Sequence, residues 1–136
     1  MGATEVDGHS FKDIGLPEFT VISRKESETG DILYTVEPKE RIADCPACGG
    51  KLHIHKDAKR KVKDLDEFGH RVGIVVKGKS YRCKDCGETV REEYASICGQ
   101  MTRRMVESIQ RDVFGDMTFT QIARRYNVSV STVQGL

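Results

Sequence analysis

The chain contains no tryptophan and only 7% aromatic residues, which argues against a large aromatic core. No apolar run approaches the ~20 residues that a membrane-spanning helix needs. The opening MGATEVDGHS has neither the basic start nor the apolar stretch of an export signal. A membrane association is therefore not expected, and a cytoplasmic location is. In that reducing compartment structural disulfides rarely persist, so five cysteines among 136 residues require another use. A chain of this length holds one ordinary domain or two very small ones. Internal repeats and low-complexity blocks are also missing.

What is present is unevenly charged. Residues 1–44 carry five Lys/Arg against ten Asp/Glu, a balance of −5, whereas residues 51–82 carry ten against four, or +6. The middle third is the electropositive part. After Pro17, FTVISRKE and DILYTVEP are β-rich runs separated by Ser27-Glu28-Thr29-Gly30, the pattern of a hairpin with a positive φ at Gly30. RKVKDL and HRVGIVVKGKSYR predict two more strands, with Phe68-Gly69 as the turn between them. Residues 1–16 lack periodicity and predict a loose tail, in which Phe11, Ile14 and Leu16 could dock.

Two C-x-x-C-G knuckles, Cys45-Pro-Ala-Cys48-Gly49 and Cys83-Lys-Asp-Cys86-Gly87, bracket the strands. Four thiolates at tetrahedral corners suit Zn²⁺, and with every corner filled no position is left for water or substrate. The expected cofactor is thus one structural zinc ion held by Cys45, Cys48, Cys83 and Cys86. Few large apolar side chains lie between the knuckles, and structural zinc can supply on the order of 10 kcal/mol of folding free energy. A redox pair would need a low-pKa thiol at a helix N-terminus in a βαβ setting, and neither is present. His53 and His55 read as strand or surface residues, His9 and His70 offer no ligand spacing, and Cys98 reads as a buried, inert thiol.

Beyond Cys98 the apolar period changes to that of a helix. Met105, Ile109 and Val113 recur with Val106, and Gly115 stops the pattern. Thr118-Phe-Thr-Gln121 has capping-box spacing, Asn127 tolerates a left-handed turn, and Ser129 can cap a third helix. Ile122, Ala123, Tyr126, Val128, Val133 and Leu136 fit a helix-turn-helix. Its outward face would present Ser129, Ser131, Thr132 and Gln134, residue types that contact phosphates and base edges. Arg124 and Arg125 could meet a phosphate, or could simply offset the helix dipole. Lys59, Arg60 and Lys61, in the run KDAKRKVK, could track a phosphate backbone or form a solvated strand face.

The succession CPACGG, RKVKDLDEFGHRVGIVVKGKSYRCKDCG, MTRRMVESIQ and QIARRYNVSVSTVQGL resembles the N-terminal region of insertion-sequence transposases of the ISL-three family. That resemblance implies a zinc ribbon followed by a helix-turn-helix that reads terminal inverted repeats on double-stranded DNA. It also implies a following catalytic domain of the DDE type with three metal-binding carboxylates, which is not expected within these residues, so the chain is expected to be no enzyme by itself.

The expected fold class is α+β: a small β-rich zinc ribbon with an N-terminal β-hairpin, then a C-terminal helix-turn-helix of three short helices. The expected segments are the tail (1–16), the hairpin (17–44), the four-cysteine zinc ribbon (45–98) and the helix-turn-helix (99–136), cut short in its recognition helix. The expected partners are double-stranded DNA and, as an option, a second copy in a homodimer. Competing expectations are a zinc-ribbon transcriptional repressor of the antitoxin kind, a protein-interaction ribbon and, more remotely, an oxidoreductase.

Overall fold

The computed structural model describes residues 4–7 and 14–136. Most of the stretch read as a tail, including His9 and Phe11, lies outside the described residues. Within it residues 4–7 form a strand, β1 (Thr4–Asp7), paired antiparallel with β2 (Phe19–Glu26). Leu16 is buried and Ile14 packs partly beneath the sheet.

The two local hairpins form where the residue pattern places them. β2 returns as β3 (Ile32–Pro38) through a turn closed by Gly30 N–H donating to the Ser27 carbonyl at 3.0 Å, with Gly30 at φ 88°. β4 (Leu52–Glu67) returns as β5 (His70–Cys83) through Phe68 and Gly69, both at positive φ. A turn with two such central residues matches the right-handed twist of the strands it joins.

The expected α+β arrangement of a small ribbon, a hairpin and a helix-turn-helix is overturned. The two hairpins merge into one mixed, eight-stranded sheet, because β3 pairs parallel with β5 and aligns Ile32, Tyr34 and Val36 with Val72, Ile74 and Val76. All six side chains are buried on one face with Phe19, Val62 and Ile97. Burying each such valine or isoleucine contributes about 1.5–3 kcal/mol. A single shared core therefore outweighs two separate small ones. Short strands complete the sheet: β6 (Thr89–Arg91) along the upper part of β5, and the pair β7 (Ile97–Cys98) and β8 (Met101–Thr102), which touches β4 at Lys63.

Three short helices follow, α1 (Arg103–Val113), α2 (Phe119–Tyr126) and α3 (Val130–Gln134). Their ends obey the local chemistry. Thr118 and Gln121 make the reciprocal capping box, Asn127 ends α2 in the left-handed conformation at φ 54°, and Ser129 caps α3. Met105, Val106, Ile109, Ile122, Ala123, Tyr126 and Val133 form a second buried cluster, against which Leu65 of β4 and Cys98 also pack. The helices are thus joined to the sheet's edge rather than standing apart from it.

The joint is polar at its centre. Asp64, on β4, has a side chain only 4% exposed and accepts from the Thr102 hydroxyl at 2.6 Å and from Arg104 Nε at 2.9 Å. A second Arg104 nitrogen bonds its other oxygen, making the fork that arginine and carboxylate favour. The remaining Arg104 nitrogen donates to the Ile14 carbonyl at 2.7 Å. One carboxylate therefore ties β4, the start of α1 and the segment before β2 together.

Asp64→Ala leaves the buried Thr102 hydroxyl and the arginine without their acceptor. We expect a loss of about 2–4 kcal/mol, discounted for the partial exposure of Arg104. It should be seen as a lower urea midpoint at unchanged slope; a midpoint equal to that of the wild type would contradict this role.

Candidate metal centre and nucleic-acid surface

Each knuckle is built by the same backbone hydrogen bonds. Gly49 N–H donates to the Cys45 carbonyl at 2.8 Å, and Gly87 N–H donates to the Cys83 carbonyl at 2.9 Å. Cys45 N–H then reaches the Gly50 carbonyl at 2.7 Å, as Cys83 N–H reaches Glu88 at 2.9 Å. Gly49 and Gly87 sit at φ 76° and 74°, a conformation that costs glycine nothing. Gly50 N–H also points at Cys48 Sγ, 3.4 Å away, where it favours the thiolate. The antiparallel excursion of β4 and β5, in which Leu52 pairs with Cys83, returns the second knuckle beside the first.

The four sulfurs meet at one point. Cys45 and Cys86 are 3.7 Å apart, Cys48 and Cys83 are 3.4 Å apart, and all four lie within 4.8 Å of one another. A tetrahedral zinc with Zn–S bonds of about 2.3 Å requires sulfur–sulfur edges of ~3.8 Å, whereas a disulfide would need about 2.05 Å. The donor set and the spacing fit a single ion, and the five cysteines are free of disulfides. Cys45 and Cys83 are buried while Cys48 and Cys86 face solvent, so the ion would sit at the rim of the hairpin end.

Crowding of the thiols drives their acidities apart. The Cys86 N–H, joined by Cys48, draws Cys83 down to about 7. At Cys86 the Glu88 N–H favours the thiolate, but burial and the other three thiols outweigh it and push the group up to about 12. A metal-free cluster therefore retains protons at neutral pH, and binding an ion must release them.

A family model described as the zinc-finger of transposase IS204/IS1001/IS1096/IS1165 matches residues 43–86. Residues 43–86 are thus similar to the zinc ribbon of ISL3-type transposases. The match begins two residues before Cys45 and ends on Cys86, so it spans all four candidate ligands of the ribbon. No curated protein and no solved structure matched the chain. None of the helices among the described residues is long and apolar enough to cross a membrane.

His53 and His55 are exposed strand residues, and the metal-competent group among the described residues consists of the four ribbon cysteines alone. Cys98 is half-buried against the helical cluster. The sequence-predicted nucleic-acid residues are divided by the fold. Strand alternation sends Lys59 and Lys61 to the open side of β4, while Arg60 turns to the other side and donates to the Gly99 carbonyl at 2.5 Å.

On the helices, Arg124 is exposed in the last turn of α2. Arg125 is committed in part, pairing with Asp112 at 3.3 Å and lying over the Tyr126 ring. The Ser129 hydroxyl accepts from Thr132 N–H at 3.1 Å and meets the Thr132 hydroxyl at 2.7 Å and that of Ser131 at 3.1 Å. Gln134 is exposed. Lys63, the last residue of the basic run KDAKRKVK, and Arg71 have structural partners that the sequence did not announce. Lys63 Nζ donates to the Asn127 carbonyl at 2.6 Å, and Arg71 donates to the Arg125 carbonyl at 3.0 Å. They satisfy carbonyls at the end of α2, and no local pattern could have announced partners more than fifty residues away.

Neither buried cluster includes a metal ligand. Removing the ion with a strong chelator should therefore free the amides of residues 43–52 and 82–89 to exchange with deuterium, while Ile74 and Val76 stay protected. Cys48→Ser should reproduce that pattern. Uniform loss of protection along the whole chain, or no loss at the knuckles, would contradict this placement of the ion.

Proposed function

We propose that the described residues act as a zinc-dependent, non-catalytic DNA-binding module of a transposase, docking on the terminal inverted repeats of a mobile element. The observation that carries this reading is the four-sulfur cluster lying inside a segment similar to a transposase zinc finger. A site with four thiolates and no open corner holds shape and does no chemistry. That leaves binding as the work of the surrounding surface.

The charges suit such work. The segment 51–82 carries ten Lys/Arg against four Asp/Glu, and a polyanion that displaces its counterions gains affinity from each cation it meets. Arg124, Arg125, Ser129, Ser131, Thr132 and Gln134 gather around the end of α2 and along α3. Lys59 and Lys61 add phosphate contacts from the sheet. Arg60 keeps a structural part by holding the Gly99 turn.

The zinc-loaded chain should bind a short mixed-sequence duplex in a manner that weakens with salt. With about four phosphates contacted, affinity should fall roughly a hundredfold between about 50 and 200 mM salt. Arg124→Ala should weaken binding to all sequences alike and reduce the salt slope by about 1, whereas Gln134→Ala should narrow the preference for repeat ends over random duplex. Fluorescence anisotropy reads both. Undetectable binding at low salt by fully metallated protein would defeat the proposal.

A further inference from the structure

One face of the sheet carries the apolar core; the other is open, and its charges have an arrangement that the free protein would not favour. Lys59 and Lys77 are directly opposed partners on β4 and β5. Like charges so placed repel at a separation of ~5 Å. Lys61 and Lys63 follow on the same face of β4 at every second residue, opposite Val75 and Gly73. Gly73 has no side chain there, and the Lys61 stem and Leu33 close around the gap.

Other cations near this row are neutralised: Lys79 pairs with Asp57, and Arg71 pairs with Asp66 at 3.2 Å. Lys59, Lys61 and Lys77 form no ion pair among the described residues, and all three are exposed. Glu37, at the end of β3, is a further acidic residue on their face. At the far end of the row, the Lys63 bond to the Asn127 carbonyl joins the sheet to the turn between α2 and α3. The lysine row therefore runs without a break onto the helical surface.

We infer that the open face of the sheet is itself a duplex-contacting surface, with Lys59, Lys61 and Lys77 following one phosphate strand that passes from β4 across the α2–α3 turn. The inference rests on the DNA-binding reading above and deepens it, adding Lys77 and a continuous path to the α2–α3 turn to the sheet contacts of Lys59 and Lys61. From Lys59 to Lys63 the strand spans ~14 Å at about 3.4 Å per residue. Successive phosphates along one strand of a duplex are about 7 Å apart, so the row spans roughly three of them. The repulsion between Lys59 and Lys77 is relieved when a polyanion lies across them. Gly73 and Val75 keep the middle of the face low, so that a wide cylinder can approach.

The test compares the zinc-loaded wild type with Lys59→Ala/Lys61→Ala/Lys77→Ala in salt titrations against the same mixed-sequence duplex, with Lys39→Ala, outside the row, as a charge control. The inference expects the triple variant to lose tenfold or more in affinity at low salt and its slope to fall by about 3. Its thermal midpoint should equal or exceed that of the wild type, because a repulsive pair is gone. Lys39→Ala should bind within twofold of the wild type.

A triple variant that binds like the wild type, while Arg124→Ala weakens binding, would overturn the sheet surface and leave the helical one standing. Wild type that fails to bind at low salt would overturn both.

Discussion

The pairing of β4 with β5 is the constraint from which the rest of the molecule follows. Sixteen residues run out and fourteen run back, a ribbon of ~50 Å by ordinary strand rise. Its open end carries the two cysteine knuckles, and its turn end lies near the helices. β3 docks along the lower part of β5 and β6 along the upper part. A shift of one residue in this register would turn Val62, Ile74 and Val76 to solvent and the lysines inward. Both the core and the charged face depend on the same alignment.

Along that ribbon, two kinds of cohesion divide the work. At the lower end, packed aliphatic side chains hold the strands together. At the upper end β4 bears Ile54, which is 62% exposed, between two histidines, and offers little apolar surface to bury. There the stabilising element beside Tyr81 and Glu92 is the metal. Glu92 belongs to the same set of polar contacts: its buried carboxylate accepts from Arg41 at 2.8 Å, from Lys79 N–H at 2.6 Å and from the Tyr81 hydroxyl at 3.0 Å. Tyr94 also donates to it, at 3.2 Å, and burial together with that carboxylate raises the Tyr94 phenol well above its ordinary value. The ion thus organises the hairpin end, whereas the sheet's apolar face accounts for the cohesion of the remainder.

What could be read from the sequence was local. The knuckles follow from cysteine spacing and glycine, the two hairpins from Gly30 and Phe68-Gly69, and the helix ends from Thr118, Gln121, Asn127 and Ser129. Each depends on residues within a few positions of one another. The parallel alignment of Val36 with Val76 was not legible, because nothing in either strand specifies a partner forty residues away. For the same reason no local pattern announced the bonds of Asp64 to Thr102 and Arg104. Lys59, Arg60 and Lys61 read as one basic patch until strand alternation assigned them to opposite faces. The long-range packing of Leu65 and Cys98 against the helices was invisible locally on the same ground.

The statement on which everything at the upper end depends is that one ion bonds to four sulfurs. X-ray absorption on protein purified without added metal, combined with elemental analysis, addresses it directly. The account predicts one zinc per chain with four sulfur neighbours at about 2.3 Å. A first shell containing imidazole nitrogen, or ordered knuckles in a chain without stoichiometric metal, would contradict it.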